Sequence, residues 1–182
     1  MKKEYVKISK FLSYILRHNP YKYDLKLDKR GFTSLSRIIR ILNHRFKDFN
    51  INKQLLQKII QKSDKERFQI IGERIRALYG HSIPEQIQME PIKEVPKFLY
   101  HGTTKKAFLQ IKEQGLKNKS RQYVHLSNNI DDAIKVGKRR TNKPIILLID
   151  TQKAKKASVK FYKSGDIYLS NFVPPEFIEK IK

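Results

Sequence analysis

The spacing of apolar residues changes period once in the first half of the chain. Ile8, Phe11, Leu12, Ile15 and Leu16 recur three and four residues apart, which lines one face of a helix. Asn19-Pro20 ends that helix. Leu25 and Leu27 alternate with polar neighbours and predict a short strand, followed by a turn at Asp28-Lys29-Arg30-Gly31. Ser34 is placed to cap a second helix with Leu35, Ile38, Ile39 and Leu42 inward. Asn52 is placed to cap a third, with Leu55, Leu56, Ile59 and Ile60 inward. The period then drops to two: Phe68 and Ile70, a turn at Gly72-Glu73, and Arg74-Ile75-Arg76-Ala77 form the pattern of a β-hairpin. Three helices and a hairpin predict a winged helix-turn-helix. That fold commonly binds nucleic acid, although fold alone does not establish function.

Residues 84–97 hold Pro84, Pro91 and Pro96 and follow no period, so the boundary between two lobes, 1–90 and 91–182, is expected there. The second lobe reads as mixed α and β, making the whole an α+β protein. Phe98-Leu99-Tyr100 predicts a strand running into His101-Gly102-Thr103. Thr104 caps a helix that Gly115 closes. Val124-His125-Leu126 predicts a strand, and Ser127 a cap for a helix with Ile130, Ala133 and Ile134. Pro144 to Asp150 reads as a buried strand, with further strands at Val159-Lys160-Phe161 and Ile167-Tyr168-Leu169. Pro174-Pro175-Glu176 predicts the start of a short terminal helix.

Composition narrows the chemistry. The longest apolar run, Ile145 to Ile149, is far short of the ~20 residues a membrane span needs. No apolar region follows Met-Lys-Lys-Glu, so a cytoplasmic protein is expected, or a nuclear one in a eukaryote. The chain has no cysteine, which excludes disulfides, thiolate nucleophiles and cysteine zinc sites. No pair among His18, His44, His81, His101 and His125 has zinc-site spacing, and no metal is expected. The net charge of +23 favours a polyanion, nucleic acid above all; the bland reading is a chain drifted towards lysine. Arginine is less even: eight of eleven lie in residues 1–90. Because its planar fork suits bidentate phosphate contacts, a specific phosphate site should draw on the first lobe.

Five short segments could carry chemistry. Arg17-His18 ends a helix, where cations either complement the macrodipole or offer donors to a phosphate. Arg74 and Arg76 share one face of a strand, either solvated or binding an anion, and Gly80-His81-Ser82 follows as a possible turn. His101-Gly102-Thr103 ends a strand, where glycine lets a ligand approach the backbone or simply makes a turn. His125-Leu126-Ser127 repeats the theme on a second strand. Val136-Gly137-Lys138-Arg139-Arg140 places a basic triplet past a helix end.

Taken in order, Ser9 to Pro20, Ile75-Arg76-Ala77 with Gly80-His81-Ser82-Ile83, Tyr100 to Thr103, Val124 to Ser127, Val136 to Arg139, and Phe161 to Ser164 with Val173 to Glu176 closely resemble the RNA 2′-phosphotransferase family, also called tRNA 2′-phosphotransferases. The resemblance spans nearly the whole chain. It implies an N-terminal winged-helix RNA lobe and a C-terminal ADP-ribosyltransferase-like lobe that binds NAD as co-substrate. It implies attack of an internal RNA 2′-phosphate on C1″ of the nicotinamide ribose, giving an ADP-ribosylated RNA phosphate. Attack of O2″ on phosphorus then leaves 2′-OH RNA and ADP-ribose 1″,2″-cyclic phosphate. The family's catalytic set maps onto Arg17, His18, Arg76 and Arg139, and its NAD contacts onto His101, Gly102, Thr103, His125 and Ser127. The expected partners are RNA, spliced tRNA among the candidates, and NAD, bound by a monomer away from membranes. One position departs: Tyr79 stands where the family usually has Gln, and is not counted in the site. Competing readings are ADP-ribosylation of terminal nucleic-acid phosphates and a non-catalytic winged-helix binder.

Overall fold

Helical spacing in the first ninety residues is realised as three helices, α1 (Lys3–Arg17), α2 (Leu35–Arg45) and α3 (Lys53–Gln61). The computed structural model describes residues 3–182. Their apolar faces meet in one core built on Ile8, Leu12, Leu16, Ile38, Leu42 and Leu56. Ser34 accepts from the Arg37 N–H and Asn52 from the Leu55 N–H at 2.9 Å, so both expected caps form. The hairpin pairs β2 (Phe68–Ile71) with β3 (Arg74–Ala77) across Gly72, whose φ is +57°. A short strand, β1 (Thr33–Ser34), adds to β3, giving the antiparallel order β1-β3-β2. Ile75 is fully buried beneath this sheet, which turns Arg74 and Arg76 to the other face.

The strand expected at Leu25 and Leu27 does not form. Their alternation reports burial alone: Leu25 lies in the core, but its N–H closes a turn onto the Pro20 carbonyl at 3.0 Å. The segment that joins the hairpin comes a few residues later, after the Asp28–Gly31 turn.

The chain divides into two compact units, Met1–Met89 and Glu90–Lys182. In the second, β4 (Phe98–Thr103) leads to α4 (Lys105–Gln114), β5 (Leu116–Lys117), β6 (Val124–Leu126) and α5 (Ile130–Gly137). Then come β7 (Ile145–Asp150), α6 (Thr151–Lys156), β8 (Phe161–Ser164), β9 (Ile167–Ser170), β10 (Phe172–Val173) and β11 (Ile178–Lys180). Three antiparallel sheets result, with orders β11-β7-β4, β6-β9-β8 and β10-β5. Paired backbone bonds between Tyr100 and Ser127 link β4 to the end of β6. Leu99, Leu126, Leu147, Ile149, Phe161 and Val173 fill the core. The protein is thus a mixed α and β chain of helices and small antiparallel sheets.

The strand expected at Val159-Lys160-Phe161 starts only at Phe161 and runs to Ser164. The α5 cap is Asn129, which accepts from the Asp132 N–H at 2.8 Å; Ser127 is instead held by its backbone. The terminal segment makes only a 3-10 turn, Pro175–Phe177, and then runs as β11 along the edge of β7. Helix α6, capped by Asp150, carries no apolar pattern, because Ala154 is the only buried apolar residue in it. Among the described residues no helix is long and apolar enough to cross a membrane.

Candidate functional site

In the first unit, the C-terminal end of α1 is met by the segment that leaves β3. The Ser82 N–H donates to the Arg17 carbonyl at 2.9 Å, satisfying one of the acceptors a helix end leaves open. Ser82 Oγ and His18 Nδ1 lie 2.8 Å apart, fixing one side of an exposed imidazole. Gly80, at φ +88°, faces Arg17: a Cβ there would stand 3.5 Å from Arg17 Cδ and Nη1. The Arg17 guanidinium lies 4.9 Å from the Tyr79 ring centroid and 5.6 Å from that of Phe68, and Nη2 donates to the Arg67 carbonyl at 3.4 Å. Tyr79 therefore has a definite job: its buried ring is a face on which Arg17 rests.

Arg76 projects from β3 across Phe32, 4.5 Å from the ring centroid, with Arg74 beside it at 4.9 Å. Its Nε donates to Gln69 at 2.9 Å and its Nη1 to the Arg30 carbonyl at 3.2 Å. Burial first, then the charge of Arg30, lower its pKa, with Asp28 opposing. The guanidinium still stays protonated near neutral pH, because its ordinary value is so high.

His81 lies in the Gly80-His81-Ser82 motif, outside the residues that the resemblance marks as catalytic. It is 2% exposed, and its Nε2 is buried without a hydrogen-bond partner. Burial, followed by the positive charges of Arg17, His18 and Arg76, pushes its pKa down to about 4. One neutral imidazole thus lies within electrostatic reach of the three residues of this unit that the family resemblance marks, Arg17, His18 and Arg76. No sequence signal distinguishes such a buried histidine from a surface one.

In the second unit, His101 and His125 come together through the Tyr100–Ser127 link. His101 Nδ1 lies 2.9 Å from the His125 carbonyl, and His125 Nδ1 lies 3.1 Å from the Tyr123 carbonyl. A carbonyl only accepts, so each Nδ1 carries the proton and donates. Burial lowers the His101 pKa, against the carbonyl bond that raises it. A neutral His101 with a protonated Nδ1 has Nε2 as an acceptor, suited to a hydroxyl or an amide N–H.

Gly102 has a structural reason to be glycine. A Cβ on it would lie 1.9 Å from the Ala133 carbonyl oxygen and 3.0 Å from the Gly137 N, so α5 packs directly on β4. The close approach expected there is made by a helix backbone. Thr103, next to it, is buried. Arg139 is exposed just past α5, two residues beyond the Gly137–Gly102 contact, and its N–H donates to the Val136 carbonyl at 3.2 Å. Within each unit, then, the structure groups Arg17, His18 and Arg76, and separately His101, Gly102, Thr103, His125 and Ser127.

A family model described as RNA 2′-phosphotransferase, Tpt1 / KptA family, matches residues 3–171. A probable RNA 2′-phosphotransferase of Acetivibrio thermocellus is 41% identical over 176 residues, covering 96% of each chain. One from Bacillus thuringiensis subsp. konkukian is 42% identical over 177 residues, covering 97% of this chain and 95% of its own. A third, from the archaeon Thermococcus kodakarensis, is 36% identical over 179 residues and 98% of both chains.

Proposed function

Since the chain belongs to the RNA 2′-phosphotransferase family, we propose that it is an NAD-dependent enzyme that moves an internal RNA 2′-phosphate onto the ADP-ribose part of NAD. The products are 2′-OH RNA, nicotinamide and ADP-ribose 1″,2″-cyclic phosphate. In this reading the first unit is a winged-helix RNA lobe and the second an ADP-ribosyltransferase-like NAD lobe. The observation that carries it is the segment around buried His81: Gly80 packs on Arg17, Ser82 holds both the Arg17 carbonyl and His18, and the Arg30–Gly31 turn against His81 Nε2 receives Arg76.

A 2′-phosphate is a dianion that must be held as a nucleophile and then stabilised as charge builds at phosphorus. Arg17, oriented by Tyr79 and the Arg67 carbonyl, and Arg76, oriented by Gln69 and the Arg30 carbonyl, offer fixed forks to its oxygens. His18, steadied by Ser82, serves the phosphate or a proton leaving a ribose hydroxyl. The family resemblance assigns Arg139 to the same chemistry.

NAD supplies an electrophilic ribose carbon with nicotinamide as its leaving group. The residues present fit it: His101 keeps an Nε2 acceptor aimed away from the His125 carbonyl, and Ser127 and Thr103 bring hydroxyls to the same strand ends. Gly102 contributes by seating α5, and with it Arg139.

The deciding experiment incubates an oligoribonucleotide bearing one internal 2′-phosphate with the enzyme, with and without NAD. Loss of the phosphate, with one nicotinamide released per turnover, is expected only with NAD. RNA that keeps its phosphate at high enzyme and NAD refutes the reading, and stable ADP-ribosylated ends would assign the chemistry to terminal modification instead. Arg76→Ala and Arg139→Ala should each lower kcat/KM by about 100-fold or more, the scale of removing one transition-state anion donor. Arg139 is exposed, so its loss should leave the melting temperature nearly unchanged.

A further inference from the structure

Arg30 belongs to neither the catalytic nor the NAD set, yet its position is closely specified. Asp28 Oδ1 accepts from the N–H groups of both Arg30 and Phe32 at 2.9 Å, and the Gly31 N–H donates to the Asp28 carbonyl at 2.8 Å. Gly31 takes a φ of +80°, which a side chain would resist, so this turn is fixed. The Arg30 carbonyl receives Arg76 Nη1, which ties the two arginines together, while the Arg30 side chain is exposed.

The charge balance around this turn is uneven. Arg30, Arg74 and Arg76 gather near Asp28, and among the described residues its one ion pair is with Arg74, at 3.4 Å. Among the described residues no carboxylate pairs with Arg30 or Arg76. The Arg30 charge also works against protonation of Arg76, and the charge of Asp28 offsets this in part. A purely solvated strand face does not account for this, because Arg76 is half-buried and held by Gln69 and Phe32.

We propose that Arg30 binds the 3′-phosphodiester beside the transferred 2′-phosphate, making the first unit a reader of internal 2′-phosphates. The inference rests on the phosphotransferase reading and deepens it. An internal 2′-phosphorylated ribose carries a dianion on C2′ and a phosphodiester monoanion on the adjacent C3′. Two neighbouring anions call for two neighbouring cationic forks, and Arg76 with Arg30 supplies them. The second contact carries no base information, so it gives position and not sequence.

The test is a double-mutant cycle on the intact enzyme at saturating NAD. One RNA carries the 2′-phosphate beside a natural 3′-linkage; the other carries a neutral methylphosphonate at that linkage. Wild type should lose about ten- to hundredfold in kcat/KM on the neutral linkage, the scale of a charge-assisted contact. Arg30→Ala should show that loss on the natural RNA and none further on the neutral one, with Arg30→Lys between. Its melting temperature should be equal to or above that of wild type, since a repulsive charge is removed. If Arg30→Ala remains as sensitive to the methylphosphonate as wild type, or is as active as wild type on the natural RNA, Arg30 does not read the linkage. If wild type dephosphorylates neither RNA, the phosphotransferase reading itself falls, and this one with it.

Discussion

Protonating His81 would add a charge next to Arg17, His18 and Arg76 at a place water barely reaches. Its folded pKa of about 4 lies below the ordinary value of 6.5, so the folded protein binds fewer protons than the unfolded chain between those values. The stability linked to the neutral ring is complete above pH 6.5 and is lost as pH falls towards 4. Between pH 7 and 5 this amounts to about 2 kcal/mol. His101 is shifted in the same direction, so wild type alone does not separate the two. Urea unfolding of wild type and His81→Asn at both pH values does: the variant should lose about 2 kcal/mol less on acidification. Equal losses would place His81 in a wetter and less cationic setting than described. Arg17 belongs to the same scale. The sequence marks it as a helix-end cation, but its aromatic seat on Tyr79 comes from 62 positions away and has no local signature.

Elements were legible where a repeated apolar face had to be buried. The three helices and the hairpin of the first unit each carry such a face, and their caps at Ser34 and Asn52 sit where the pattern begins. Legibility failed where burial and hydrogen bonding part company. Leu25 is buried without a strand, α6 is a helix with almost no apolar face, and β11 is an edge strand of which only Ile178 contacts the core. The α5 cap lies two residues beyond Ser127; Ser127 and Asn129 are both capping types, and the pattern does not choose between them. Asn129→Ala should accordingly cost about 1 kcal/mol in denaturant unfolding, and Ser127→Ala under about 0.5 kcal/mol. The Gly102–Gly137 crossing is sharper still. Gly102→Ala pushes a methyl group into the Ala133 carbonyl, so α5 must lift from β4 at a cost of about 3 kcal/mol or more. A Gly102→Ala protein with wild-type stability and reduced NAD binding would overturn the packing role and return this glycine to the ligand.

At the scale of the whole molecule the question is whether +23 of net charge is an RNA surface or only composition. The excess is divided almost evenly between the two units, so it is not a basic tail that could be cut away. Exposed ion pairs such as Arg37–Asp24 and Lys53–Glu73 neutralise only a few of these cations and contribute little to stability. Salt separates the alternatives, because each phosphate neutralised releases counterions. For a single strand the logarithm of affinity falls by about 0.7 per contact for each tenfold rise in salt. Five contacts would therefore weaken RNA binding about 100-fold between 50 and 200 mM. NAD carries two phosphates, and its affinity should move by no more than the roughly sevenfold that two contacts would give over the same range. The expected outcome is a KM for RNA that climbs steeply with salt while the KM for NAD rises far less. If both respond alike and weakly, the positive charge is compositional, and RNA is held by little beyond the few arginines around the 2′-phosphate.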